Sequence, residues 1–428
     1  MIATSILVVF LTTVTAFAQP FHWGADLSFV PKLEHNGVVY RTGSEEQGAL
    51  EIFRCAGFEV VRLRLWHTPV EPWHGIDSIL AFAERADALG FKILLDIHYS
   101  DTWADPEHQT KPAAWQSLTY PQLLDSMYRY TNNVMLRFRN AGVIPEAVQI
   151  GNEVGGGFLW ETGRLTGSGQ QWEQFTTLLD TAIAATRDSL PQEVWPKIVI
   201  HHQEGGNDFE CHWFFINLFI YEVDYDIIGL SYYPWWHGDL GALSDNLREL
   251  ALLDKEIRIV ETAYPYSLDW CDNTNNIVGE EWQLHWGFEA TEEGQAMFLN
   301  TVAETLQALP NNLGTMVCLW EPAWIPTDSF GSPWENLALF DCDGNKLLAF
   351  DNMPIATPQR VTLVRIDNDL RLRWQDDGSF YYHVYGVTPG NPEVITRLGV
   401  TAESQWLLPN EFSIYPQRSY FVIGSCEP

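Results

Sequence analysis

Basic residues are scarce in this 428-residue chain: 24 Lys and Arg stand against 56 Asp and Glu, a formal charge of −32. The summed field of such a chain repels nucleic acid and anionic membranes, and leaves neutral molecules as the fitting partners. Long apolar runs are missing after residue 18, so no later segment reaches the roughly 20 residues a membrane span needs. Six cysteines are present, at positions 55, 211, 271, 318, 342 and 426, and they match no close metal-ligand spacing. No Gly-rich fingerprint follows any strand-like run, which removes the usual sign of a dinucleotide-binding sheet. No cofactor is therefore expected for catalysis.

What is present begins with an apolar leader. Residues 1–18, MIATSILVVFLTTVTAFA, close on Ala16-Phe17-Ala18, the small-x-small form a signal peptidase cuts. Secretion is predicted, ending outside the cell or in a periplasm, with a single-pass anchor as the alternative. An exported chain permits disulfides, although Cys318, inside the apolar run TMVCLW, reads equally as a buried thiol. Nineteen Trp residues are many. They suit either interior packing or flat surfaces that stack on sugar rings.

Between residues 19 and 350, short apolar β-rich runs alternate with longer amphipathic stretches, which is the pattern of repeated βα units. Eight strands are predicted: WGADLSF, VVRLRLW, KILLDIH, AVQIGNE, KIVIHH, DIIGLSYY, RIVETAY and TMVCLWE. Eight such units predict a (β/α)8 TIM barrel, against an open doubly wound sheet. Residues 351–360 accumulate Pro, Asn and Thr and read as a linker. From 361 to 428, alternating segments separated by turn-forming DNDL, QDDGS and TPGNP predict a small antiparallel β-sandwich, loosely similar to a fibronectin type III module. A spacer or a carbohydrate-binding role is open for it.

Functional residues of a parallel barrel sit where strands end on the C-terminal face. Here those ends are polar and aromatic. Arg62 and Arg64 are two apart on strand two and face the same way. Strand three ends in Asp96, His98 and Tyr99, strand four in Asn152-Glu153, strand six in Tyr232-Tyr233, strand seven in Glu261, and strand eight in Trp320-Glu321. A lone Glu at a strand end is commonly a solvated rim residue, but glycosidic cleavage needs two carboxyl groups in different protonation states. Glu153 and Glu261 supply such a pair. Asn152 can bond a sugar 2-hydroxyl beside Glu153, making Glu153 the proton donor, with a pKa raised by apolar surroundings. Glu261 is expected to stay ionised, with Arg64 or Tyr232 as the partner that keeps it so. Trp320 would floor the reacting sugar, while His98 and Asp101 bond substrate or orient the catalytic groups. An open groove lined by Trp103, Trp160 and Trp236 would permit internal cleavage. His201-His202 is not a metal pair, because neighbours on a strand face opposite ways.

Seven segments in order carry a resemblance: GADLSFVPKLEHNGV, VRLRLWHTP, LLDIHYSDTWADPEHQTKPAAW, VQIGNE, DIIGLSYYPWWHG, IVETAYPY and LWEPAWIP. From about Trp23 to Phe350 the chain resembles glycoside hydrolase family 53, the endo-β-1,4-galactanases. The resemblance implies a TIM barrel that hydrolyses neutral galactan chains of pectin side branches with retention, Glu153 as acid/base and Glu261 as nucleophile. It also implies active-site roles for Arg64, His98, Asn152, Tyr232 and Trp320. Some bacterial relatives hold structural calcium in the loop after strand seven. Here that loop reads SLDWCDNTNNIVGE, with Asp272 and Asn276 the expected ligands and a disulfide-stapled loop the alternative. RLWHTP and EVGGGFLWETG depart from the family pattern at His67 and Val154. A related barrel enzyme acting on mannan, cellulose or xylan is the competing enzyme, and a non-catalytic carbohydrate-binding protein the competing class. A monomer is expected.

Overall fold

The computed structural model describes residues 21–165 and 169–352, together with six strands between residues 362 and 425. The leader at residues 1–18 and most of the linker at 351–360 lie outside the described residues. Eight parallel strands form the centre: β1 (His22–Asp26), β2 (Phe58–Leu65), β3 (Lys92–Ile97), β4 (Ala147–Ile150), β5 (Lys197–His202), β6 (Ile227–Tyr232), β7 (Glu256–Thr262) and β8 (Gly314–Trp320). Each pairs with its neighbours in the chain, and β1 pairs with β8, so the barrel closes. Closure leaves no free strand edge in the ring.

Eight helices follow the strands: α1 (Ala49–Cys55), α2 (Ile76–Ala88), α3 (Tyr120–Ala141), α4 (Gly169–Asp188), α5 (Asp208–Ile220), α6 (Leu240–Ala251), α7 (Glu292–Gln307) and α8 (Ala349–Asn352). Helical spacing explains their seating. In α2, Ile79, Phe82, Ala83 and Ala86 fall on one face and are all buried. α3 starts from a Thr119–Gln122 capping box and stops at Gly142, whose φ of 83° a side chain would resist.

Two separate apolar layers result from the period of two along each strand. Outward residues such as Ile228, Leu230, Ile257 and Ile259 join the helices in one large cluster. Inward residues Val60, Leu94, Ala147, Val199, Ile227, Val260, Met316 and Cys318 plug the barrel floor. Continuing the inward parity upward gives Arg62, Arg64, Asp96, Gln149, His201 and Ser231, all buried. Polar chemistry is thereby stacked directly on an apolar plug, away from water.

The break in parity that bears on the site is in β7. In β7 the register runs Leu230 to Ile259 and then Ser231 to Glu261, which leaves Val260 as an extra residue. Val260 faces the plug, so strict alternation would turn Glu261 outward towards the helices. The bulge turns it inward instead.

At the C-terminus, β9 (Thr362–Ile366), β10 (Asp369–Arg373) and β13 (Gln405–Leu408) make one three-stranded sheet, while β11 (Tyr381–Thr388), β12 (Val394–Thr401) and β14 (Ser419–Ser425) make another. Both are antiparallel. Among the described residues no helix is long and apolar enough to cross a membrane. Cys211 and Cys318 are buried free thiols, as the apolar setting of Cys318 suggested.

Candidate active site

Arg62 is the hub of the site. Its guanidinium lies 2.7 Å from Asp26 Oδ2, 2.9 Å from Asp96 Oδ2 and 2.9 Å from Glu261 Oε1, and it donates to Asn152 Oδ1 at 2.8 Å. Arg64, two residues on, takes different partners. It contacts Asp26 at 3.2 Å and pairs with Glu321. Its guanidinium plane lies among the rings of Phe29, Trp103 and Trp320, at 4.8, 4.9 and 5.2 Å from their centroids. The cation beside Glu261 is therefore Arg62 and not Arg64.

Tyr232 needs the same correction. Because Ser231 faces inward, Tyr232 faces outward, where its ring stacks near Phe298 of α7 and its hydroxyl donates to Gly238 O at 3.0 Å. Tyr233, one residue beyond β6, donates its hydroxyl to Glu261 Oε2 at 3.1 Å. Burial, then the charges of Glu261 and Glu153, keep that phenol protonated and hence a donor. Tyr233→Phe is expected to lower turnover about 10- to 100-fold, the worth of one hydrogen bond to a charged group. Tyr232→Phe should leave turnover near the parent value, and initial rates of the two variants check the assignment.

Glu153 sits just past β4 in a left-handed conformation, φ 51°. A non-glycine residue there is uncommon and is found where a site dictates the backbone. The preceding Gly151, φ 77°, could not carry a side chain, since its Cβ would fall 2.6 Å from Val154. Ser231 donates to Glu153 Oε1 at 2.7 Å, and His201 Nε2 lies 2.9 Å from that hydroxyl. Burial, followed by the charge of Arg62, holds the His201 imidazole well below its ordinary pKa, so it is neutral. Ser231 was not singled out from sequence and His201 only as part of a rejected metal pair, although counting inward parity along β5 and β6 finds both.

The two glutamates differ in electrostatics. Burial, then the neighbouring charge of Glu261, raises Glu153 well above the usual carboxylate range. Burial also pushes Glu261 up, to about 7, opposed chiefly by Arg62 and assisted by Asp26 and Asp96. Glu261 has a cation beside it and Glu153 has none in contact among the described residues, which favours the charge on Glu261 and the proton on Glu153. Burial works against the charge of Asp26 too, yet Arg64, Arg62 and Ser28 outweigh it and hold that carboxyl low.

Other expected residues are placed as follows. His98 bonds Asp96 Oδ2 through Nε2 at 2.8 Å and accepts Trp66 and Ala104 N–H groups at Nδ1, so it orients the Arg62 cluster through Asp96. Asp101 accepts the backbone N–H groups of Thr68 and Ala113, at 2.9 and 2.8 Å. Its carboxylate pins two loops. Asn152 donates to Ala104 O at 2.8 Å while Arg62 holds its oxygen. Trp103 and Trp320, 5.9 Å apart, belong with Trp334 and Trp324 to an aromatic cluster flooring the cleft. Trp236 is exposed and packs edge-on to Tyr233 at 5.4 Å. Glu321 had not been given a role. It is fully buried, bonded by Arg64 and by Phe29 N–H, and fixes the first loop over the barrel.

The loop after β7 is fastened by a disulfide, Cys271–Cys342, with Cα atoms 6.2 Å apart. Asp272 accepts Ser332 N–H and the Thr274 hydroxyl at Oδ2, and Thr274 N–H at Oδ1. Asn276 donates to Asp269 O. A hard cation needs six to eight oxygen ligands, and both oxygens of Asp272 already serve N–H and O–H donors. Asn276 Oδ1, by contrast, is buried without a hydrogen-bond partner among the described residues, and the disulfide fastens the loop.

The geometry matches known proteins. Residues 22–353 match the profile of glycosyl hydrolase family 53. The arabinogalactan endo-beta-1,4-galactanase of Cellvibrio japonicus is 35% identical over 361 residues, covering 81% of this chain and 94% of its own. That of Thermothelomyces thermophilus is 34% identical over 332 residues, covering 76% and 96%. The GH53 catalytic domain of Ignisphaera aggregans superposes with a TM-score of 0.73 at 34% identity, over 81% of this chain and 98% of that one. A barrel that gathers Asp26, Asp96 and Glu261 around one arginine, and that agrees in sequence and in fold with these relatives, belongs to glycosyl hydrolase family 53.

Proposed function

We propose that the chain is an endo-acting, retaining β-1,4-galactanase that works by double displacement. The observation carrying the mechanism is the asymmetry of the pair: Glu261 has a guanidinium and a phenol at its two oxygens, whereas Glu153 has only a hydroxyl donor and burial. Glu261 attacks the anomeric carbon while Glu153 gives its proton to the departing glycosidic oxygen. The galactosyl ester on Glu261 is then cleaved by water, whose proton returns to Glu153, and the sugar leaves with its original configuration. Galactan as substrate rests on the two named relatives.

The test is reducing-sugar release from linear β-1,4-galactan, β-mannan and carboxymethylcellulose, with the anomer of the first product read by NMR. Release from galactan alone, with the β-anomer appearing first, is expected. Release from another polymer would overturn the substrate, and the α-anomer first would overturn retention.

The enzyme is further read as a secreted monomer with no cofactor, and its C-terminal strands as a small fibronectin-like sandwich acting as a spacer. The loop after β7 is read as disulfide-held and free of calcium. Replacing Cys271 and Cys342 by Ser should cost roughly 2–4 kcal/mol, the usual worth of a cross-link over a long loop, whereas a chelator should leave the melting curve unchanged. Calorimetry with and without EDTA checks both.

A further inference from the structure

Large exposed tryptophans are unusual, because a buried indole contributes more to stability than almost any other side chain. The loop after β7 nevertheless holds Trp282 at 80% and Trp286 at 93% exposure. Both line a groove of about 710 Å³ that they share with Phe288, Asp269, Glu281 and Glu289. Its framework is fixed. Leu240 N–H donates to His285 Nε2 at 3.0 Å, Tyr264 OH donates to Phe288 O at 2.9 Å, and Gln283 donates to Ile277 O at 2.8 Å. Two indoles held on a braced loop form a preorganised surface.

The groove continues from the cleft. Its lining residues Leu268 and Leu284 pack against the same aromatic cluster that includes Trp103, Trp320 and Trp334. His285 ties it to the loop after β6, which carries Trp236. We propose that Trp282 and Trp286 form a distal binding surface for a neutral galactan chain, beyond the cleft that holds the scissile bond. The proposal rests on the galactanase reading above for the identity of the polymer. Indole faces take the apolar faces of pyranose rings, and the carboxylates of Asp269, Glu281 and Glu289 accept hydrogen bonds from sugar hydroxyls. The same carboxylates, in a chain of charge −32, turn away polyanions.

The experiment uses the full chain carrying Glu261→Gln, which prevents turnover, in gels containing linear β-1,4-galactan. Galactan is expected to retard this protein, and adding Trp282→Ala with Trp286→Ala should weaken binding about 10-fold, as lost burial of two indole faces implies. In the active enzyme the same double variant should lose about that factor in kcat/KM on polymer and keep its kcat/KM on galactotetraose. Both side chains are exposed, so the fold is not at risk. Unchanged retardation and an unchanged polymer-to-tetraose ratio would overturn the proposal. So would concentration-dependent self-association in sedimentation that the double variant abolishes, since the indoles would then face a second copy. If the Glu261→Gln protein ignores galactan but is retarded by mannan or xylan, the galactanase reading fails. The tryptophan effect on that second polymer then decides the surface separately.

Discussion

Glu261→Gln and Glu153→Gln should each reduce galactan hydrolysis by about 10³-fold or more, because each removes a group that acts only in the transition state. The two losses differ in kind. Without Glu261 no glycosyl ester forms, so a good leaving group cannot restore activity. Without the Glu153 proton, an activated aryl galactoside still forms the ester, and its first step should survive while the second slows. Burst kinetics on such a substrate separate them, and a burst from Glu261→Gln would reverse the assignment. In the parent enzyme kcat/KM should follow a bell. Activity needs Glu261 ionised, so the acid limb falls near its raised pKa of about 7. It also needs Glu153 protonated, and burial with the charge of Glu261 raises that group, so the alkaline limb reports its loss of a proton. The limbs belong to the interacting pair rather than to either residue alone.

Arg62→Met is expected to be nearly as severe, although Arg62 transfers no proton. It would leave Asp26, Asp96 and Glu261 buried without the cation that faces all three. Breaking a buried pair by removing one partner costs about 3–5 kcal/mol, and turnover should fall on the order of 10²-fold as the nucleophile loses its anchor. The diagnostic readout is the acid limb. Arg62 opposes protonation of Glu261, so its removal raises that pKa and moves the limb to higher pH. Arg62→Lys should restore part of the stability and shift the limb back. An acid limb that stays in place in Arg62→Met would show that the arginine is a structural filler only.

Much of this was legible in the sequence. Eight apolar runs gave the barrel because their spacing left room for a helix after each, and Glu153 and Glu261 stood out as carboxyls closing such runs. The partner assignments failed for a local reason. Tyr232 failed on parity counted from the barrel floor, whereas Arg64 shares the inward face of Arg62 and failed on depth. Tyr233 is one residue further on and faces the site, and Arg62 is two residues deeper on the same face. Glu261 itself could not have been oriented by that count, since the Val260 bulge is visible only in the pairing of β7 with β6 and β8. The loop after β7 was ambiguous for a different reason: Asp, Asn and Cys at close spacing suit both an ion and a disulfide. Only the bonds made by Asp272 separate the two.

The Val260 bulge also sets a rule for anyone recombining this scaffold. Chimeras of barrel enzymes are commonly cut at strand ends, on the view that chemistry travels with the loops. Here the frame in which Glu261 is read is written one residue upstream of it, inside the strand. A splice that imports only the segment ETAYP, from Glu261 onward, onto a straight β7 would carry the nucleophile and point it at α6 and α7. The transferable cassette starts no later than Ile259, and a single-residue deletion there would be as disabling as removing the carboxylate.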